Sequence, residues 1–220
     1  MKVTFLIPPV LDGTRDVDRC FGCNYSIYFL PLLPVLYSAT ILKGAGESVS
    51  IIDFPAHKNK KEDFLKFIEK DDSHVYVFYT VFLCQNTDLI ARKLIRAVKK
   101  DVCFIFCGPQ ATFAPEVFLD SQDTIAVRGE CEFIVGSAVG AIKSRSDFNA
   151  VAGISYFQDG RIIHNPSAPF IADIDQVPIP DRALLDHRPY FNPKLHSVPH
   201  TAALTSRGGY GKCWYCVPNS

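Results

Sequence analysis

Five short apolar runs alternate with helical patterns over most of the first two thirds of this chain, and this alternation constrains its fold most strongly. The runs are rich in β-branched and aromatic residues, which favour strands, and they cover residues 3–7, 49–52, 75–79, 102–106 and 124–127. Helical patterns follow them at 32–42, 62–69, 86–99, 115–119 and 131–143. Near-continuous apolar strands that alternate with helices predict a parallel sheet covered on both faces. The predicted fold class is therefore α/β, with a doubly wound, Rossmann or flavodoxin-like sheet of five parallel strands.

The pattern of the sequence changes after residue 148. Residues 153–157 and 161–164 flank Gln158-Asp159-Gly160, which is the signal of a β-hairpin. Residues 165–200 are rich in proline but poor in glycine and serine, which indicates an ordered linker on the domain surface. Residues 201–205 are compatible with a further strand. We therefore divide the chain into an α/β domain (1–148), a hairpin with a proline-rich linker (149–200) and a final segment (201–220).

The carboxyl ends of the predicted strands carry most of the unusual residues. Parallel α/β sheets bind their ligands beyond these ends. Any one proline, glycine or polar residue there could simply end a loop, but their shared position on one rim favours a ligand site. The candidate contacts are Pro9, Asp53, Thr80, Gly108, Pro109 and Glu130.

The balance of charge argues against some classes of partner. Lys and Arg together number 23 and Asp and Glu together number 23, so the net charge is zero. Proteins that bind nucleic acid normally show a basic excess or stripe, and we therefore expect a small-molecule ligand and no nucleic acid. The first apolar run is too short for a secretory signal, and no apolar run has the length of a transmembrane segment. We predict a cytoplasmic protein.

The eight cysteines are interpreted as reduced thiols, because no secretory signal precedes them. Four of them lie in or beside apolar segments, where cysteine is a common small core residue. The other four form two C-x-x-C pairs, Cys20 with Cys23 and Cys213 with Cys216. One alternative function is that these two pairs close a structural zinc site with four cysteine ligands.

The C-terminal segment carries the most specific motif. Thr205-Ser-Arg-Gly is followed by Cys213-Trp-Tyr-Cys216, and this resembles the C-x-x-x-C-x-x-C loop with which radical SAM enzymes hold a [4Fe–4S] cluster. Three further stretches are similar to the cobalamin-binding branch of that family: 108–112 (GPQAT), 128–132 (RGECE) and 178–182 (PIPDR). Together these similarities cover nearly the whole chain.

The resemblance implies an N-terminal cobalamin-binding domain, a linker and the first strand of a radical SAM barrel. It implies that Cys213 and Cys216 are cluster ligands, that S-adenosylmethionine binds the cluster, and that the rim residues contact cobalamin. In such an enzyme the reduced cluster cleaves S-adenosylmethionine, and the resulting radical takes hydrogen from an unactivated carbon. Methylcobalamin then delivers a methyl group to that carbon. The implied activity is therefore that of a methyltransferase.

The sequence departs from this pattern at two places. The position of the first cluster cysteine is Gly209, which has no side chain to bind iron. The D-x-H-x-x-G motif, which supplies a histidine below the cobalt in classical cobalamin domains, does not occur. We expect the chain to be truncated within the barrel and inactive in radical chemistry by itself. A further alternative is an α/β domain that retains no ligand.

Overall fold

The computed structural model of the chain describes residues 1–20, 29–190 and 201–206. The strands are β1 (Lys2–Ile7), β2 (Ser48–Asp53), β3 (Val75–Tyr79), β4 (Cys103–Cys107), β5 (Thr124–Val127), β6 (Ile154–Gln158) and β7 (Arg161–His164). The helices are α1 (Leu33–Gly44), α2 (Lys61–Lys70), α3 (Gln85–Val98), α4 (Pro109–Phe113) and α5 (Cys131–Ser144). Short 3₁₀ turns include Phe82–Cys84 and Pro115–Val117.

All seven described strands form one sheet, in the order β2-β1-β3-β4-β5-β6-β7. The five predicted parallel strands are present as β1 to β5, and Phe5 of β1 is level with both Ile51 of β2 and Val77 of β3. The prediction of five strands for the whole sheet was wrong, because the hairpin β6–β7 adds two antiparallel strands next to β5. This pairing covers the edge of β5 that a five-stranded sheet would leave open.

The hairpin owes its tight turn to two residues with positive φ. Asp159 has a φ of 51° and Gly160 a φ of 78°. Two-residue hairpin loops favour this conformation because it matches the twist of the paired strands. The sequence signal for the hairpin was therefore correct, although it gave no indication of which strand the hairpin would join.

Helices cover both faces of the sheet and create two separate cores. One core lies under α1 and α5 and includes Val75 and Val77 of β3. The other lies under α2, α3 and α4 and includes Tyr76 and Phe78 of the same strand. The alternation follows from strand geometry, because successive side chains point to opposite faces. No helix in the described ranges is both long and apolar enough to cross a bilayer.

Two local predictions differ from the structure. The predicted helix at 115–119 is only a 3₁₀ turn, and a helical turn begins earlier, at Pro109. Proline fits the first turn of a helix because the missing N–H has no partner there. Residues 201–206 do not form a strand; Arg182 instead binds the Thr201 side chain and the Ala202 carbonyl oxygen.

The segment after β7 packs against α1 and the end of β2. Leu185 and Tyr190 form a small core with Leu33, Leu36 and Ala56. At one end of this contact, the Asp181 carboxylate pairs with Lys43 at 2.6 Å, and the Asp181 N–H donates to the Thr40 hydroxyl at 2.8 Å. The described part of the predicted linker therefore packs on the surface of the α/β domain.

Candidate functional site

The strand order creates a switch point between β1 and β3. The chain leaves β1 toward α1 on one face of the sheet and leaves β3 toward α3 on the opposite face. Crevices at such points are the usual ligand sites of doubly wound folds. All six predicted contact residues lie along this carboxyl edge, since each ends or follows one of β1 to β5: Pro9, Asp53, Thr80, Gly108, Pro109 and Glu130.

Residues 10–20, here called the strap, close the crevice at the switch point. The Arg19 guanidinium donates to both carboxylate oxygens of Asp88 in α3, at 2.7 and 2.8 Å. It also donates to the Tyr79 carbonyl oxygen at 2.7 Å. The cavity that remains between the strap and the sheet measures about 20 Å³ and is lined partly by Arg15. A cavity of this size has room for about one water molecule.

The Arg19–Asp88 pair is deeply buried, with 4% and 0% of the two side chains exposed. Burial opposes the charge on Arg19, but the Asp88 carboxylate outweighs this effect, and the pKa of Arg19 is raised. Removal of one partner from such a buried ion pair costs about 3–5 kcal/mol of stability, because the charge of the other partner stays buried. The strap is therefore held firmly over the crevice.

Asp53 is occupied by the chain itself. It is buried at the end of β2 and accepts hydrogen bonds from the Tyr190 hydroxyl at 2.7 Å and the Ala56 N–H at 3.0 Å. Burial raises the pKa of the Asp53 carboxyl, although both hydrogen bonds favour its charged form. The carboxylate therefore anchors the segment after β7 to the edge of the sheet.

Thr80 and Gly108 bring two strand ends into close contact. The Thr80 N–H donates to the Cys107 carbonyl oxygen at 2.8 Å, and the Gln110 N–H donates to the Thr80 carbonyl oxygen at 3.2 Å. A Cβ atom at position 108 would lie 2.8 Å from the Thr80 carbonyl oxygen, so this contact requires glycine. The Thr80 hydroxyl is buried near Asp88, whose charged form it favours, but it forms no hydrogen bond of normal geometry.

The remaining candidates have structural contacts as well. The Glu130 carboxylate accepts a hydrogen bond from the Ile171 N–H at 2.6 Å, which ties the segment after β7 to the start of α5. Pro109 is in the first turn of α4, and Pro9 is buried behind the end of β1. The structure thus places the six candidates on one edge, where Pro9, Asp53, Thr80 and Gly108 are buried and Pro109 and Glu130 are partly exposed.

Five exposed apolar side chains lie on the same edge, and the sequence interpretation missed them. They are here called the apolar rim: Phe82, Leu83, Phe113, Phe133 and Phe170. Phe82, Phe113 and Phe170 are 69%, 52% and 73% exposed. Phe82 and Leu83 follow β3, Phe113 follows β4 and Phe133 follows β5. The sequence signal for these side chains is weak. Each one follows the end of a strand, at a position that does not match the apolar face of a neighbouring helix.

Hydrogen bonds connect the segments that carry the apolar rim. The Gln110 side chain donates to the Gln85 side chain at 2.8 Å, which links the segment after β4 to that after β3. The Gly129 N–H donates to the Thr112 hydroxyl at 3.0 Å, which links the segment after β5 to that after β4. Apolar groups exposed together on one edge are typical of a surface that contacts a ligand or a partner.

The predicted cluster residues lie outside the described residues. This applies to Cys213, Cys216 and Gly209, and also to Cys23 of the alternative zinc site. Cys20 is described and is exposed at the end of the strap. Within residues 1–20, 29–190 and 201–206, no three His, Cys, Asp or Glu side chains are arranged to hold a metal ion.

Comparison with known proteins identifies one curated relative. No protein-family model matches the chain. The uncharacterized methyltransferase PH0819 of Pyrococcus horikoshii is 27% identical over 218 residues, which cover 98% of this chain and 45% of the relative. The chain therefore spans less than half the length of this curated methyltransferase.

Solved structures of cobalamin-dependent radical SAM enzymes have a similar fold. The enzyme OxsB, with aqua-cobalamin and S-adenosylmethionine bound, matches 81% of this chain and 24% of its own, with a TM-score of 0.63 and 17% identity. The methyltransferase TsrM from Kitasatospora setae, with cobalamin and a [4Fe–4S] cluster bound, matches 78% of this chain and 30% of its own. Its TM-score is 0.56 and its identity 13%. At these identities the likeness is one of fold.

Proposed function

We propose that this chain is the cobalamin-binding portion of a B12-dependent radical SAM methyltransferase. The observation that carries the proposal is the apolar rim at the carboxyl edge of the sheet. The proposal is supported by the fold that the chain shares with cobalamin-bound enzymes and by its methyltransferase relative. We also propose the domain limits inferred from the sequence, which are 1–148, 149–200 and 201–220.

The rim suits the corrin ring of cobalamin. The faces of the ring are broad and largely apolar, and the rim offers exposed aromatic side chains on three neighbouring strand ends. We assign the close contacts to Thr80, Gly108, Pro109 and Glu130, which lie at the ends of β3, β4 and β5. Pro9 is buried after the end of β1 and Asp53 is bonded to Tyr190, so we assign both to holding the edge in shape.

In a complete enzyme of this type, cobalamin supplies a transferable methyl group and the cluster with S-adenosylmethionine supplies the radical. The residues of this chain would hold the ring by its apolar face and exclude water from it. The backbone at Gly108 would keep the ends of β3 and β4 in contact beneath the ring.

Cobalamin binding by the 220-residue chain tests the proposal directly. The purified chain is mixed with hydroxocobalamin and separated by gel filtration, and the visible absorbance of the protein peak is measured. Co-elution at about one corrinoid per chain is expected. A colourless peak of folded protein would show that the chain shares the fold without the ligand.

A matched pair of variants tests the role of the apolar rim. Phe82→Ser removes a rim side chain and is expected to weaken hydroxocobalamin binding about tenfold, because apolar area is no longer buried. Val98→Ser removes a half-exposed apolar side chain at the end of α3, on the opposite edge of the sheet, and is expected to leave binding unchanged. Equal affinity of the two variants, measured by equilibrium titration, would remove the rim from the site.

A further inference from the structure

The segment after the hairpin returns to the carboxyl edge of the sheet. Strand β7 runs parallel to β5, because β6 is antiparallel to both, so β5 and β7 end at the same edge. Residues 165–171, here called the arm, leave β7 at this point and reach the start of α5. There the Glu130 carboxylate accepts a hydrogen bond from the Ile171 N–H at 2.6 Å. The arm therefore borders the proposed ligand surface beside α5.

The first half of the arm is fixed to the turn before β6. Asn165 is buried, and its side-chain amide donates to the Val151 carbonyl oxygen at 2.8 Å. The Gly153 N–H donates to the Pro166 carbonyl oxygen, also at 2.8 Å. Ala168 packs so closely on this turn that a Cβ atom at position 153 would lie 3.0 Å from its own Cβ atom. These contacts leave the backbone of the arm little freedom before residue 169.

Phe170 lies between the two attachments of the arm and is nevertheless open to solvent. Its side chain is 73% exposed and belongs to none of the three cores formed by the described residues. Pro169, directly before it, restricts the backbone further because its ring fixes φ. An aromatic ring left in water on an anchored backbone is typical of a side chain that contacts a ligand, because burial of the ring then stabilises the complex.

The position of Glu130 makes it a firm attachment point for the arm. Glu130 is the cap residue of α5, where the helix dipole favours a negative charge. A carboxylate also accepts a stronger hydrogen bond than a neutral oxygen does. Its bond to the Ile171 N–H therefore fixes the backbone immediately after Phe170.

We infer that Glu130 is a positioning residue, which holds the arm so that the Phe170 ring contacts the bound corrinoid. The inference rests on the proposed function, and it gives Glu130 a role besides the close contact assigned above. The carboxylate acts through the Ile171 N–H, and the arm presents the ring on the side of the ligand next to α5. The binding contribution of Phe170 should therefore depend on Glu130.

A double-mutant cycle measures this dependence. The 220-residue chain and its variants Phe170→Ser, Glu130→Ala and Phe170→Ser/Glu130→Ala are titrated with hydroxocobalamin. Phe170→Ser should weaken binding about tenfold when Glu130 is present, because apolar area is no longer buried. In the Glu130→Ala background the same change should cost less than about threefold, because the ring is no longer held in place. Equal losses in the two backgrounds, or no loss in either, would overturn the inference and leave the proposed function intact. Failure of the unaltered chain to bind would overturn both.

Amide hydrogen exchange in the ligand-free chain gives a second readout. Glu130→Ala should speed exchange at the Ile171 N–H by more than about tenfold, because that group loses its acceptor. Exchange at the Gly153 N–H, which bonds the fixed end of the arm, should not change. Glu130→Gln keeps an acceptor oxygen and should preserve both slow exchange at Ile171 and hydroxocobalamin affinity within about threefold. Unchanged exchange at Ile171 in Glu130→Ala, or equal losses in the Ala and Gln variants, would overturn the inference.

Discussion

Gly108 adopts a backbone conformation that other residues rarely reach. Its φ is 95° and its ψ is −175°, at the turn from β4 into α4. The adjacent Thr80 carbonyl oxygen leaves no room for a Cβ atom. Two independent constraints, one torsional and one steric, therefore require glycine at this strand end.

Substitution of Gly108 should lower the stability of the fold. We expect Gly108→Ala to reduce the free energy of unfolding by about 1–3 kcal/mol, because alanine is strained in this region. Gly140→Ala is the control, since Gly140 lies in α5 with open space around it. That variant should gain about 0.5–1 kcal/mol from its higher helix propensity. Urea denaturation measures both, and equal effects would contradict the assignment.

The hydrogen bond between Tyr190 and Asp53 should make stability depend on pH in a defined way. Burial raises the pKa of Asp53, so the folded state takes up a proton at a higher pH than the unfolded state. The contribution of Asp53 to stability therefore falls as the pH rises from its unfolded pKa through its folded pKa. The Tyr190 hydroxyl offsets part of this loss, because it stabilises the charged carboxylate.

We expect Tyr190→Phe to cost about 1.5–3 kcal/mol at a pH where the Asp53 carboxyl is charged, because the hydroxyl then binds a charged group. The cost should shrink as the pH falls through the folded pKa of Asp53, because protonation of the carboxyl weakens that hydrogen bond. Tyr156→Phe serves as the control, because the Tyr156 hydroxyl donates to the neutral Asn149 amide. Its cost should not change over the same range. A pH-independent cost for Tyr190→Phe in urea denaturation would contradict the prediction.

Among the elements, the strap depends on a contact far away in the sequence. Arg19 and Asp88 are 69 positions apart, and their ion pair fastens the segment after β1 to the start of α3. The hairpin β6–β7 depends on distant contacts in the same way, since it pairs with β5 across α5 and the following turn. Both elements lack a local signal for their position.

Removal of the Arg19 side chain should release the strap. We expect Arg19→Ala to lower the free energy of unfolding by about 3–5 kcal/mol, since Asp88 would remain buried without its partner. The double variant Arg19→Leu/Asp88→Leu should recover most of this loss, because no buried charge remains. Arg188→Ala, which breaks an exposed ion pair with Asp186, should have no measurable effect. A similar loss in the single and double variants would argue against an unpaired buried charge as the cause.

At the scale of the whole molecule, the proposed cluster depends on residues outside the described ranges. The chain spans 45% of its curated relative, so the radical half of the proposed enzyme is tested in a full-length homologous protein. In that context, Gly209→Cys should raise the iron and sulfide bound after reconstitution, because a third thiolate completes the cluster ligands. Gly208→Cys places the thiol one residue away and should not. Unchanged iron content in the Gly209 variant would contradict the cluster proposal.

The sequence by itself determined the identity of the parallel strands and the edge at which unusual residues gather. These features depend on local information, because strand and helix periodicity and the residues that end each strand are read from neighbouring positions. The order of strands and helices along the chain is therefore enough to assign Asp53, Thr80 and Gly108 to the carboxyl edge. The hairpin is predicted for the same reason, from Asp159-Gly160.

Only the tertiary structure decided which of these residues are covered and which surface remains open. Tyr190 covers Asp53, Arg19 fills the crevice, and Phe82 remains exposed beside them. The sequence also could not show that the hairpin extends the sheet to seven strands. Each of these outcomes depends on contacts between residues far apart in the chain, whose geometry exists only after the helices have packed on the sheet. Local patterns constrain the elements, but they contain no information on which distant side chain reaches a given strand end.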